Sequence, residues 1–451
     1  MAYMKNLNIL RTTVLQGDIM AENLIKKIDL AKWNKTHWYI FFSTSIGFFL
    51  WGIINTLGYA FFPTYQNIYY LIVIAAIPLL GDLLLTRISD KIIGRKKAYM
   101  ITMGLYGFGS LIIVLDLLLI KGLMQMIVFL LGYGISMFGV EGEVPIGLAL
   151  LAESTPIKYR EKILVLSPNF ENVGAAIAAI IALSIYFMKN SFIIMGISIA
   201  IMAIIGLIIA IILRLLMPES IRWLTTKGKI RDAEKEANKI ALNQELSIKE
   251  KFSTSNIKLR NRFLFLTIWS LANYLTWSLM AFVLADFYFK GVSLIAVILW
   301  ANLGASFAGF LTGLIIDKID MRKYTFISFL AATISFLPIL AYTLFNFKSL
   351  YLFYSLTFIN LFSITMTWFV RTIYEPILFP TSNRAFYIGI VRGIAMTTYT
   401  ISIYLTSSFP LWGFAIYGMG FQGLGLIASI YWIKRGEDVR YKSIDILSKI
   451  K

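Results

Sequence analysis

The sequence contains no cysteine and a single histidine, His37. Those two scarcities remove whole classes of chemistry. Disulfides, thiolate nucleophiles and cysteine metal sites are excluded, and a metal held by imidazoles would need partners the chain does not have. His37, next to Trp38 at the foot of the first apolar run, reads as an interfacial ring and not as a ligand. Charge is scarce too: 15% of residues are charged, where a soluble domain carries about 25%. No Gly-Lys-Ser/Thr phosphate loop, Gly-x-Ser-x-Gly elbow or His-Glu-x-x-His pair occurs. A nucleotide-driven pump and an intramembrane hydrolase are therefore not expected. The expectation is a protein that is not an enzyme and uses no cofactor and no metal.

Apolar residues are abundant. They make up 58% of the chain, with a mean hydropathy of +0.75. Runs of about 20 residues recur from start to finish, each long enough to cross a bilayer of about 30 Å. Twelve spans are predicted: 38–60, 68–88, 98–119, 122–150, 163–187, 191–216, 263–288, 291–316, 324–346, 349–371, 385–408 and 410–433. The fold class expected is an all-α polytopic membrane protein. Its domains would be an amino-terminal segment 1–37, a six-helix bundle 38–216, a linker 217–262, a second six-helix bundle 263–433 and a tail 434–451. Residues 1–35 are too polar for a cleavable signal peptide. Within them Ile19, Met20, Leu24, Ile25 and Ile28 recur at helical spacing, as expected of a helix lying on a membrane surface. In the linker, residues 229–242 read as an amphipathic helix with Ile230, Ala233, Ala237, Ile240 and Ala241 on one face.

The net charge of +18 is distributed as topology, not as a nucleic-acid surface. Loops after the odd-numbered spans carry only Lys121, Lys189, Lys290 and Lys348. Nearly all other basic residues lie in the tails, the linker and the alternate loops. By the positive-inside rule both termini and the linker are cytoplasmic, in a multi-pass protein of the cell membrane. The partners expected are the lipid bilayer, a small-molecule solute and, if transport is coupled, protons. No nucleic-acid partner is expected, and the chain should act as a monomer.

A charged string occurs twice. Asp90-Lys91-Ile92 is followed by Arg95-Lys96, and Asp317-Lys318-Ile319 by Arg322-Lys323, at one spacing and 227 positions apart. Pro156-x-x-x-Arg160 and Pro380-x-x-x-Arg384 lie 224 positions apart, with Glu153 three residues before the first proline. Two repeats at nearly one offset indicate duplicated halves, an arrangement common in transporters. Pro218-Glu219-Ser220-Ile221-Arg222-Trp223-Leu224 closes the first half.

On these strings the chain resembles the major facilitator superfamily, in particular its sugar-porter-like, metabolite–proton symporter branch. Residues 86–96 are similar to that family's loop between spans two and three, with Thr86 where glycine is usual and one extra residue before Gly94. The second copy has Met321 for the later glycine, and Ile377 stands where the second-half glutamate is usual, Glu375 lying two residues early. The resemblance implies a secondary or facilitative transporter of a small polar solute such as a sugar or organic acid, working by alternating access. A transporter-like membrane sensor is the alternative. It also implies a cytoplasmic gate: Asp90, Arg95, Glu153, Arg160, Glu219 and Arg222 in one half, and Asp317, Arg322 and Arg384 in the other.

Charges within spans are costly, about 2.5–3.5 kcal/mol each at a helix centre, and so face cavities or partners. Asp82, Glu141, Glu143, Glu171 and Arg392 are of this kind. The four acids are the candidates for proton coupling. Spans two and eleven abut in the family, so Arg392 either pairs with Asp82 or meets an anionic substrate. Near the midplane, Asn55, Asn172, Asn273, Asn302 and Asn360 could bond hydroxyls, and Trp277 and Trp368 could stack on a ring. With Arg392 they are the substrate-binding candidates. An acid in span one, frequent in proton-coupled relatives, is missing from 49–55, and Val128 stands where many carry an arginine. Coupling would then fall to Glu171 or the span-four glutamates.

Overall fold

The computed structural model describes residues 17–61, 68–189, 192–241, 257–289 and 292–449. Residues 1–16 and 242–256, Lys290, and the first residues of the spans expected at 191–216 and 291–316 lie outside them. The long helices are α1 (Lys35–Phe61), α2 (Ile68–Ile88), α3 (Gly94–Leu119), α4 (Leu123–Ser154), α5 (Phe170–Lys189) and α6 (Phe192–Leu216). They continue as α7 (Leu259–Ser278), α8 (Val292–Ile315), α9 (Met321–Leu344), α10 (Leu350–Leu378), α11 (Arg384–Thr406) and α12 (Leu411–Arg435). Among the described residues, ten stretches are long and apolar enough to cross a membrane. One of them, Ala76–Leu119, joins α2 to α3 through a wide π turn at Ser89–Ile93. Helix α7, which carries Arg260, Arg262, Asn273 and Thr276, is not among the ten.

Two predicted spans are broken. The one expected at 163–187 is a short helix, Arg160–Leu166, and then α5, with Pro168 in the break because it has no N–H to donate. The one expected at 263–288 runs from α7 through a π turn, Leu279–Leu284, into Ala285–Tyr288. Proline is tolerated inside α2 (Pro78), α4 (Pro145), α9 (Pro338) and α10 (Pro376).

Packing follows one scheme twice. Helix α1 packs on α4, α5 and α6, α4 on α2 and α3, and α3 on α6. Shifted by six, α7 packs on α10, α11 and α12, α10 on α8 and α9, and α9 on α12. The two sets meet along α2–α11 and α5–α8. Glycines make both seams close: Gly389 of α11 lies against the Asp82 carbonyl, and Gly309 and Gly313 of α8 lie against Asn169 and Leu166. Outward faces are apolar and exposed, as on α6 (Ile201, Ile205, Ile208, Ile212) and α9 (Ile327, Ile334, Leu337), which suits lipid contact.

The polar segments pack over the charged end of the helices. In the helix at 17–29, Leu24 and Ile28 are buried, whereas Ile19 and Met20 are exposed. The linker forms Ile221–Thr226 and Ile230–Ile240, with Ala233, Ala237 and Ile240 buried. After α12 the tail lies across the same end, where Arg160 and Arg262 donate to the carbonyls of Val439 and Lys449.

Candidate solute cavity and the charged layers beneath it

A cavity of about 180 Å³ lies between the two helix sets. Helix α1 contributes Trp51 and Asn55, α4 Glu141, α5 Glu171, α7 Asn273, Tyr274 and Trp277, and α10 Trp368. Helix α11 lines it from Met396 through Tyr399 to Tyr404, near that helix's far end. The charged segments close the opposite end.

Directly beneath the rings lies a buried ionic layer. The Arg392 Nε donates to both Asp82 carboxylate oxygens at 3.2 Å, and its Nη2 reaches Glu141 Oε2 at 2.5 Å. The other Glu141 oxygen accepts from the Trp51 indole at 2.9 Å. Thus α11 is tied to α2 and α4 across the seam. The guanidinium stands 5.5 Å from the Trp51 ring centre and 5.9 Å from that of Tyr274. A second guanidinium, Arg371, lies 4.9 Å from the Tyr274 ring, bonding Glu375 at 2.8 Å and Asn273 Oδ1 at 3.2 Å. Glu171 is buried and lines the cavity, and no described side chain donates to its carboxyl. The layer therefore holds Asp82, Glu141, Glu171 and Glu375 against two guanidiniums.

The second layer sits at the charged end. Glu153 Oε1 accepts from Arg95 Nη2 at 2.9 Å and from Arg384 Nη1 at 2.7 Å. Its Oε2 accepts from Ser220 Oγ at 2.5 Å. Asp90 pairs with Arg95 at 2.5 Å and accepts the Phe386 backbone N–H at 2.8 Å, capping the start of α11. Glu219 accepts the Arg95 N–H at 2.8 Å and so caps α3. That cap needs Gly94, whose φ of +86° suits glycine and whose Cβ position would strike Glu219. Arg222 clasps Asp29 at 2.6 Å, Asp445 at 2.7 Å and the Glu153 carbonyl at 2.6 Å.

Outside the spans, electrostatics follow burial and partners. Burial pushes the Glu219 carboxyl up, against the pull of the Ser220, Arg95 and Lys96 N–H groups. Burial alone would lower the Arg222 guanidinium, but Asp29 and Asp445 outweigh it and hold it above its ordinary value. The bond from Arg322 lowers Asp320 to about 2.

Several predicted residues come together and others do not. Asn55, Asn273, Trp277, Trp368, Glu141 and Glu171 line the cavity. Arg392 lies behind Trp51, paired with Asp82 as one of its two expected roles. Asn172 bonds Asn169, Asn302 bonds the Ile298 carbonyl of its own helix, and Asn360 bonds Ser335, all away from the lining. Glu143 is taken by Arg214 and Thr102 within the first helix set. At the charged end, Arg384 joins the Glu153 cluster of the first half. Arg160 pairs with its neighbour Glu161. The expected second-half set does not assemble among the described residues: Arg322 pairs with Asp320, which caps α9, while Asp317 offers its backbone carbonyl to Arg440. Sequence reading missed Arg371, Arg214 and the Asp29–Arg222–Asp445 clasp. Arg371 and Glu375, four residues apart in an apolar helix, were a visible signal of an internal pair.

The profile of the Major Facilitator Superfamily matches residues 38–396. Among solved structures, a proton:xylose symporter, XylE, bound to 6-bromo-6-deoxy-D-glucose superposes with a TM-score of 0.70 at 14% identity, covering 91% of this chain and 98% of that one. A partially occluded inward-open form of the xylose transporter XylE from E. coli gives 0.62 at 14% identity, with 89% and 98% covered. The human organic anion transporter MFSD10 gives 0.63 at 12% identity, with 88% and 100% covered. At these identities the likeness concerns the fold. No curated protein matches the chain.

Proposed function

This chain belongs to the Major Facilitator Superfamily, and we propose that it is a secondary transporter carrying a small polar organic solute across the cell membrane by alternating access. Two six-helix bundles, 38–216 and 263–433, would rock about the cavity, joined by the linker 217–262. The duplicated packing scheme and the two duplicated charge strings support that division. The observation that carries the reading is the Glu153–Arg384 bond at 2.7 Å, between two side chains that are both fully buried. It joins the two bundles at the end opposite the open reach of the cavity. Polar contacts of this kind can exchange partners for water, so a bundle can leave and return. The lysine and arginine distribution supports a cytoplasmic location for that end and for both termini.

We further propose proton coupling through Glu171, the one lining carboxyl that no described cation or donor holds. The remaining lining acid, Glu141, is already committed to Arg392 and Trp51. Uptake by proteoliposomes of sugars, organic acids and organic cations, with and without an imposed proton gradient, tests both statements. Accumulation of one solute class that follows the gradient is the expected result. Sealed proteoliposomes that take up none of the three would overturn the transport reading.

A further inference from the structure

The lining of the cavity narrows the solute class, on the premise that this cavity is the transport site. Its walls are dominated by rings: Trp51, Tyr274, Trp277, Trp368, Tyr399 and Tyr404. The charged residues among the lining are both acids, Glu141 and Glu171. An anionic solute would need a guanidinium or ammonium, and the two arginines of this layer stand behind rings. Arg392 is engaged by Asp82 and Glu141, and Arg371 by Glu375 and Asn273. A sugar would need several amides and hydroxyls free to bond its own hydroxyls. Of the two lining amides, Asn273 already donates to the Ile364 carbonyl and accepts from Arg371. Thr400 likewise donates to the Met396 carbonyl within its own helix. Among the described residues, the Ser278 and Thr365 hydroxyls are buried without a partner and could bond a neutral group. The one charged group the walls leave unengaged there, however, is the Glu171 carboxyl, surrounded by the electron-rich faces of aromatic rings.

We infer that the cavity accepts an organic cation, a protonated amine or quaternary ammonium with apolar substituents, held by Glu171 as counter-charge and by the surrounding rings. Ring faces attract an ammonium within about 6 Å, most strongly when water is excluded, and they solvate its alkyl groups as well. The layer below reinforces the sign. Four carboxyls face two guanidiniums, so a cation meets acids in excess of bases, with carboxyls able to ionise against it. An arriving anion would find both guanidiniums already engaged.

The test uses the full-length protein in nanodiscs, with tetraethylammonium, D-xylose and benzoate as probes, read by calorimetry and by tryptophan fluorescence. Saturable binding of tetraethylammonium alone is expected. Glu171→Gln should weaken it by at least about tenfold, the loss of one charge-assisted contact, and Glu171→Asp should restore most of it. Trp368→Phe should be tolerated and Trp368→Leu should not. Thermal unfolding checks that each variant is folded, and the Asp variant keeps the test valid if the Gln variant is not. Failure of tetraethylammonium to bind, or equal binding by Glu171→Gln, overturns the inference. D-xylose or benzoate bound and carried in its place would overturn the inference and leave the transport reading standing. Tetraethylammonium bound but not carried into proteoliposomes would do the reverse.

Discussion

Replacing Arg384 by alanine removes a bond between the two helix sets at their charged end, which in the proposed mechanism exists only while the sets meet there. The bond is a 2.7 Å contact from Arg384 Nη1 to Glu153 Oε1, with both side chains fully buried. The cost of its removal depends on the partners Glu153 retains. It remains bonded to Arg95 Nη2 at 2.9 Å and to Ser220 at 2.5 Å, so no bare carboxylate is left in the interior. The loss is then that of one charge-assisted hydrogen bond, about 1.5–3 kcal/mol, and not the larger penalty of an orphaned charge. Such a change moves the closed-to-open ratio by about 10- to 150-fold. A chain without cysteine gives a clean probe: Ser154→Cys is conservative, and Ser154 is buried beside the cluster. A membrane-impermeant maleimide, applied to the charged face, should label that thiol faster in the Arg384→Ala background by about the same factor. In a Glu153→Gln background the increment from Arg384→Ala should nearly vanish, because the pair has already been broken. Labelling unchanged by Arg384→Ala, or equally changed in both backgrounds, would refute the gate reasoning.

Arg95→Ala should behave differently, since Asp90 and Glu153 both lose their main cation: thermal unfolding should show a loss of about 3–5 kcal/mol, and a Tm near that of the parent would contradict the account. Glu171→Gln should abolish proton-driven accumulation in proteoliposomes, and unchanged accumulation would remove Glu171 from coupling. Gly389→Val should slow transport through poor seam closure while leaving insertion intact, because a Cβ there meets the Asp82 backbone carbonyl, which cannot swing aside. Normal uptake by that variant would dismiss the seam. Asp320 is held at about 2, below its ordinary 3.8, so its bond to Arg322 stabilises the fold fully above about pH 4 and is lost as pH falls toward 2. The stability difference between the parent and Asp320→Asn should therefore shrink over that window, and a difference constant with pH would show that the bond does not titrate.

The helices were legible because their signal is length and apolarity, and every predicted span overlaps a long helix, although those at 163–187 and 263–288 are broken and α7 is not among the ten apolar stretches. The breaks were not. Pro168 could have marked the first, but a π turn at Leu279–Leu284 leaves no compositional trace. The strings around Asp90, Glu153 and Glu219 were legible as motifs, and the structure joins these three side chains through Arg95. Sequence repetition misled in the second half. Asp317 and Arg322 keep the spacing of Asp90 and Arg95, yet Asp320, two residues before Arg322, offers its carboxylate as the α9 cap and takes the guanidinium. A local competitor of that kind is invisible to a comparison of spacings. The amides were the least legible. Asn172, Asn302 and Asn360 are at plausible depths, but helix rotation decides whether an amide meets a cavity or a neighbour, and in apolar helices the hydrophobic pattern does not fix rotation sharply.

The distribution of contacts along the two seams explains why charge is concentrated at one end. Gly389 and Gly393 of α11, and Gly309 and Gly313 of α8, are each spaced four apart and face the first helix set. Gly389 lets the backbones approach closely, and Gly309, Gly313 and Gly393 leave hollows in which the side chains of Asn169, Leu166 and Leu79 are seated. Such a seam carries few directional contacts of its own, the bond from the Asn169 amide to the Ser306 carbonyl at 3.0 Å being one. Further directional contacts between the two helix sets lie beyond the glycines: Arg384–Glu153, Asp90 with the start of α11, and Arg392 with Asp82 and Glu141. They are directional, buried and reversible. An apolar patch of equal strength would gain about 25 cal/mol per Å² on closing but would leave exposed hydrocarbon facing water on opening. Carboxylates and guanidiniums are hydrated in the open state, which keeps the two states close in energy. For a molecule that must visit both, that balance is the physical reason to place its charges there.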